Sequence, residues 1–118
     1  MDRYNWQEIP EEKLNDAMSR QVIHSAQSTI ARISLRKGAV VPLHHHVNEQ
    51  VTMLQSGSLR FDMGGAQFIL NAGDVLVIPP DVPHYVEALE DSHATDVFTP
   101  AREDWIRGDD AYLRKATR

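Results

Sequence analysis

The chain contains no cysteine, which removes disulfides, thiolate metal sites and cysteine nucleophiles from consideration. No apolar run approaches the roughly 20 residues that cross a bilayer as a helix. The opening residues, Met1-Asp2-Arg3-Tyr4-Asn5-Trp6, also lack the apolar core of a secretory signal. The expectation is a cytoplasmic protein with no membrane partner. Positive charge is scarce as well: twelve Lys and Arg face seventeen Asp and Glu, a net charge of −5, with no basic block. A polynucleotide needs a concentrated positive face, so no nucleic-acid partner is expected. A small acidic ligand stays open, because one or two arginines inside a pocket outweigh the global charge locally. Internal repeats, low-complexity tracts, a Ser-His-Asp spacing and a glycine-rich phosphate loop are absent too.

What is present is a globular composition. The 118 residues are 42% hydrophobic and 25% charged, enough for one core and one domain over residues 1–118. Residues 1–18 are polar and read as a loosely packed arm with a proline-started helical turn at Pro10-Glu11-Glu12-Lys13-Leu14. From Gln21 the period changes to two, and Thr29 to Arg36 alternates as a half-buried strand should. Val51 to Leu54, Leu59 with Phe61, Gln67 to Leu70, His84 to Leu89 and Ala94 to Thr99 read as further strands. Gly64-Gly65 marks a hairpin. Val75-Leu76-Val77-Ile78 is continuously apolar and reads as a buried strand. A short helix is expected from Asp110 to Lys115, capped by Asp109 or Asp110. Many short strands broken by Gly, Pro, Asn and Asp predict an all-β sandwich or barrel.

Chemistry concentrates in Pro42-Leu43-His44-His45-His46-Val47-Asn48-Glu49-Gln50. On an extended chain His44 and His46 point the same way, their Cα atoms roughly 7 Å apart. Two imidazoles so placed can converge on one ion. His45 faces the other side. Gln50 shares the parity of His44 and His46, and a bend at Val47-Asn48 brings its amide oxygen towards the same ion. Pro79-Pro80-Asp81-Val82-Pro83 is a stiff loop that delivers His84. His24 and His93 stand alone, as histidines satisfied by a hydrogen bond or by solvent do. Parity leaves open which face Arg60 takes.

These residues resemble the two motifs of the cupin superfamily. The first motif is Gly, five residues, His-x-His, three or four residues, Glu, six residues, Gly. Here it spans residues 38–57 and runs Gly38, His44-His45-His46, Gln50, Gly57. Gln50 fills the acid position, while Glu49 has the wrong spacing. The second motif, at 73–84, runs Gly73, Pro79-Pro80-Asp81, His84, with Asp81 in place of the usual glycine. The resemblance implies an RmlC-like, double-sheet jelly-roll barrel with a short N-terminal arm and a short C-terminal helix. It also implies that His44, His46, Gln50 and His84 hold one divalent metal. Imidazole and oxygen donors suit Ni, Zn, Mn or Fe.

A narrower resemblance runs from Gly38 to Leu113. The segment Asp96-Val97-Phe98-Thr99-Pro100-Ala101-Arg102-Glu103-Asp104-Trp105 is similar to the tail of KdgF-type cupins of pectin and alginate breakdown. That family opens the ring of 4,5-unsaturated monouronates, which implies an isomerase acting on a small acidic sugar. Its functional tail residues match Asp96, Phe98 and Arg102. A carboxylate near a cation serves as general acid or base, and Arg102 offers a fork for a substrate carboxylate. Read singly, Asp96 is also a strand-end residue, Phe98 a core residue, and Arg102 a surface partner of Glu103 or Asp104. The alternatives to an isomerase are an iron-dependent dioxygenase and a non-catalytic sugar-acid-binding module. Small cupins commonly pair, which implies a homodimer. Trp6, Trp105, Tyr112 and Leu113 read as packing for the ends of the fold or for that contact.

Overall fold

The computed structural model describes residues 1–115. The chain opens with a 3-10 turn at Trp6–Glu8, where the Asn5 side chain accepts from the Gln7 amide at 2.9 Å. Pro10 does not start a helical turn. The chain instead runs extended into β1 (Glu12–Asn15), which pairs with β2 (Met18–His24). Contacts between these strands override the local helix signal: Glu12 meets Arg20 at 2.9 Å and Leu14 is buried. Nor is the arm loose. The Gln21 side chain donates to the carbonyls of Trp6 and Ile9, and the Arg32 guanidinium lies 5.1 Å from the Trp6 ring.

Eight further strands follow: β3 (Thr29–Leu35), β4 (Val40–His44), β5 (Glu49–Ser56), β6 (Ser58–Met63), β7 (Ala66–Asn71), β8 (Val75–Ile78), β9 (His84–Ala88) and β10 (Ser92–Thr99). Among the described residues two single-turn helices follow, α1 (Glu103–Ile106) and α2 (Ala111–Arg114). The expected C-terminal helix is α2. Asp110 stands at its N-cap position but makes no side-chain cap bond, because its carboxylate is held by Arg20 and Arg114. No helix among the described residues is long and apolar enough to cross a membrane.

The strands form two antiparallel sheets, ordered β1-β2-β3-β10-β5-β8 and β4-β9-β6-β7. Period-two alternation decides what faces in. On β3, Thr29, Ala31, Ile33 and Leu35 are buried; on β10 it is Ser92, Ala94, Asp96 and Phe98. With Leu54, Phe61 and Val86 these side chains fill the space between the sheets. Arg60 takes the outer face, pairing with Asp62 at 3.3 Å and Glu87 at 3.1 Å.

The apolar run Val75–Ile78 is not a buried central strand. It is the edge of the six-stranded sheet, with Val75 61% and Val77 53% exposed. Cross-strand register continues from Val77 through Val51, Val97 and Ile30 to Ile23. An aliphatic row therefore crosses the outer face of five strands.

Gly57, the last residue of the first motif, links β5 to β6 with φ +91°. A Cβ there would stand 2.2 Å from Ser92 Oγ and 2.4 Å from the Asp91 carbonyl. The left-handed backbone and the collision with fixed backbone both penalise a side chain. Gly57→Ala is expected to lose about 3 kcal/mol or more in urea denaturation. Wild-type stability would contradict this.

Candidate metal centre and acid–base pocket

His44 ends β4, His84 begins β9, and the two are directly opposite in the register of those strands. His46 lies just beyond β4, on the loop leading to β5. One ligand-capable nitrogen from each of the three rings lies within 4.8 Å of the others. Each ring is aimed by a backbone carbonyl: His44 Nδ1 to Pro42 at 2.7 Å, His46 Nδ1 to Asn48 at 3.0 Å, His84 Nδ1 to Val82 at 2.9 Å. A protonated Nδ1 donating to a carbonyl leaves Nε2 with its lone pair free, the tautomer a metal requires.

The loop geometry follows from local sequence. Asp81 occupies the usual glycine position of the second motif and takes φ +63°, a conformation Asp tolerates better than most residues. Its amide donates to the His46 carbonyl at 2.8 Å, so the proline loop braces the histidine loop. Asn48, 3% exposed, ties the same loop to the end of β10 by donating to the Pro100 carbonyl at 2.6 Å. His45 points away, 64% exposed and 3.6 Å from Asp81. His24 and His93 lie elsewhere, beside the hydroxyls of Thr29 and Ser34.

The donor set fits a metal on two observations. His84 Nε2 is buried and has no hydrogen-bond partner, a costly state for a polar atom. His46 Nε2 lies 3.0 Å from Gln50 Oε1 while His46 Nδ1 lies 3.0 Å from the Asn48 carbonyl. A neutral imidazole has one proton, so one contact sets a lone pair against a lone pair. A cation beside Nε2 and Oε1 removes that conflict. Protonation of the ring is disfavoured, because burial, then Arg102 and His84, pull His46 down to about 4. Burial and the neighbouring His84 pull His44 down to about 3, and burial also lowers His84. All three are neutral ligands at neutral pH. His44, His46 and His84 thus form a group able to hold a metal ion.

Asp96 and Phe98 sit on β10 facing this group, as alternation requires. Burial raises Asp96 to about 6, against the Thr52 hydrogen bond and Arg102. Its carboxylate accepts from Thr52 Oγ1 at 2.7 Å, and Thr52 accepts from Gln50 Nε2 at 2.9 Å. Phe98 packs edge-on against His46, 5.6 Å between centroids. Arg102 is 1% exposed, with its guanidinium over Phe98 and Trp105. It does pair with Asp104, at 2.8 and 2.9 Å, but from a buried position, with the Asp104 side chain 28% exposed. It also donates to Tyr112 Oη at 2.8 Å. Tyr112 stacks on His44 at 4.8 Å, so it belongs to the site as well as to the end of the fold. Trp105 lies between the guanidiniums of Arg102 and Arg20. These groups line a cavity of about 50 Å³.

Thr52, Asn48 and Tyr112 had no motif to point to them. Only the parity of Thr52 with Gln50 on one strand hinted at its position.

A double-sheet jelly roll with histidines at both motif positions defines a cupin. The chain belongs to the cupin domain family, which matches residues 31–98 and so includes both motifs. Among solved structures it is similar to an RmlC-like cupin from Shewanella frigidimarina, at 26% identity and a TM-score of 0.82 over 89% of this chain and 96% of that one. It is also similar to KdgF from Halomonas sp., at 25% identity and a TM-score of 0.81 over 88% and 99% of the two chains. Oxalate decarboxylase of Bacillus subtilis shares the fold, with 21% identity and a TM-score of 0.73 over 82% of this chain and 29% of that one. Among curated protein sequences none matches at a significant level.

Proposed function

We propose that this cupin is a metal-dependent isomerase that opens 4,5-unsaturated monouronates, released from pectin or alginate, to their linear keto form. The observation that carries the reading is a buried carboxyl, Asp96, whose pKa lies near 6, facing three neutral imidazoles inside the barrel. The similarity to KdgF supports the substrate class.

The reaction needs protons moved and no electrons. The hydroxyl at C1 loses its proton, the bond from C1 to the ring oxygen breaks, and C4 gains a proton as C5 becomes a ketone. Asp96 is suited to give or take a proton near neutrality. A divalent ion (Ni, Zn, Mn or Fe) held by His44, His46, Gln50 and His84 would polarise the substrate's oxygens. Three imidazoles and an amide carry no negative charge, so such an ion keeps nearly its full charge.

Arg102 is the anchor for the substrate carboxylate, and Phe98 supports its guanidinium. In the closed arrangement the Asp104 carboxylate fills the fork, in the place a ligand carboxylate would take. Binding of a uronate carboxylate at Arg102 therefore requires Arg102 to exchange Asp104 for substrate. A 50 Å³ cavity has room for about three to five waters, at roughly 10–15 Å³ each. The homodimer fits the same reading. The aliphatic row from Val77 to Ile23 is an uncharged strip that a second copy would cover by sheet-on-sheet packing.

The test is incubation of metal-loaded protein with an unsaturated monouronate under nitrogen, followed by NMR. Conversion to the linear keto acid without oxygen is the expected result. Tight binding with unchanged substrate would favour a sugar-acid-binding module, and a requirement for oxygen would favour a dioxygenase.

A further inference from the structure

Thr52 sits between the candidate metal ligand Gln50 and the candidate acid–base residue Asp96, and the residue is 2% exposed. We propose that Thr52 is a positioning residue that sets which end of the Gln50 amide faces the metal. This rests on the reading of His44, His46, Gln50 and His84 as a metal centre.

The argument is one of donor counting. A threonine hydroxyl has one proton. At 2.7 Å from a carboxylate oxygen that proton goes to Asp96, because a charged acceptor makes the stronger bond. The Thr52 oxygen is then left to accept. The group facing it must be a donor, so Gln50 presents its NH2 to Thr52 at 2.9 Å and its Oε1 to His46, 3.0 Å away. Turning the amide over would set Oε1 against an oxygen with no proton to give. It would also aim NH2 at the three imidazoles, where a cation is repelled.

A family glutamate at this position needs no such device, since both ends of a carboxylate are oxygen. An amide has one oxygen and must be oriented. Thr52 thus lets a neutral side chain act as an oxygen ligand, which leaves the centre without anionic donors.

The experiment measures Mn²⁺ and Zn²⁺ affinity by calorimetry on the full chain. Oxygen donors matter most for Mn²⁺, whereas imidazoles alone retain Zn²⁺ well. Thr52→Val is expected to weaken Mn²⁺ by about 10–100-fold, the usual range for a residue that orients a ligand, and Zn²⁺ by only about threefold. Thr52→Ser, which keeps the hydroxyl, is expected to restore the wild-type ratio. In a Gln50→Glu background, Thr52→Val is expected to leave the ratio unchanged, because the coupling has been removed. Equal affinities in wild type and Thr52→Val, or equal losses for both metals, would overturn the role of Thr52 alone. Failure of the wild type to bind either metal would overturn the centre and this role together.

Discussion

Replacing His84 with alanine is expected to weaken metal binding by more than about 100-fold, beyond the usual cost of losing a ligand's supporting partner. The ring is fully buried, lies 4.2 Å from that of His44, and holds an Nε2 with no other partner. In metal-free protein that nitrogen carries a desolvation cost of about 1–3 kcal/mol, which the substitution relieves as it opens a small cavity. The two effects oppose, so the stability of the metal-free variant should lie within about 1 kcal/mol of wild type. The large change appears only with metal present. Saturating ion at a hundred times Kd stabilises a binding fold by about 2.7 kcal/mol, and this increment should vanish in His84→Ala. Thermal unfolding with and without added metal reads both quantities. A variant destabilised without metal, with its metal response intact, would make His84 an ordinary core residue.

The second large effect is expected at Asp96. Asp96→Asn removes the group proposed to move protons, and turnover should fall by about 10²–10⁴-fold while Zn²⁺ affinity, which the imidazoles carry, stays close to wild type. The same substitution should stabilise the metal-free protein in a pH-dependent way. Burial raises the Asp96 pKa from 3.8 to about 6. A carboxyl shifted upwards contributes its stability fully below the unfolded value and loses it as pH rises through the folded one. Above pH 6 the wild type therefore carries an unfavourable buried charge of roughly 3 kcal/mol at most, which asparagine lacks. Urea denaturation should find the variant more stable at pH 8 and equal to wild type below pH 4. The histidines, neutral when folded, destabilise both proteins alike below about pH 6.5 and cancel from the difference. Unchanged turnover would remove Asp96 from the reaction, and equal stability at pH 8 would show that its charge is not desolvated.

Much of this site was legible because strand geometry converts spacing into direction. His44 with His46, and Asp96 with Phe98, each share a face by parity alone, and the motif order placed His84 opposite them. What escaped was set by contacts between distant segments. Pro10 to Leu14 carries a helix-start pattern, yet Glu12 meets Arg20 on the next strand and the chain extends. Val75 to Ile78 is as apolar as a central strand, but sheet order makes it an edge, and no local pattern encodes a missing neighbour. Arg102 was expected to face a substrate; that its fork would be filled from two residues away was visible only as an alternative. Tyr112 reaches His44 because α2 folds back over β4, an event without a local signature. Thr52 is a plain strand threonine until the hydrogens around it are counted.

The most direct test is anomalous X-ray scattering from crystals grown with the preferred divalent ion. A single peak is expected within bonding distance of Nε2 of His44, His46 and His84, with Oε1 of Gln50 as the fourth protein ligand. A metal bound elsewhere on the chain, or none between these histidines at saturating concentration, would contradict the assignment of this centre.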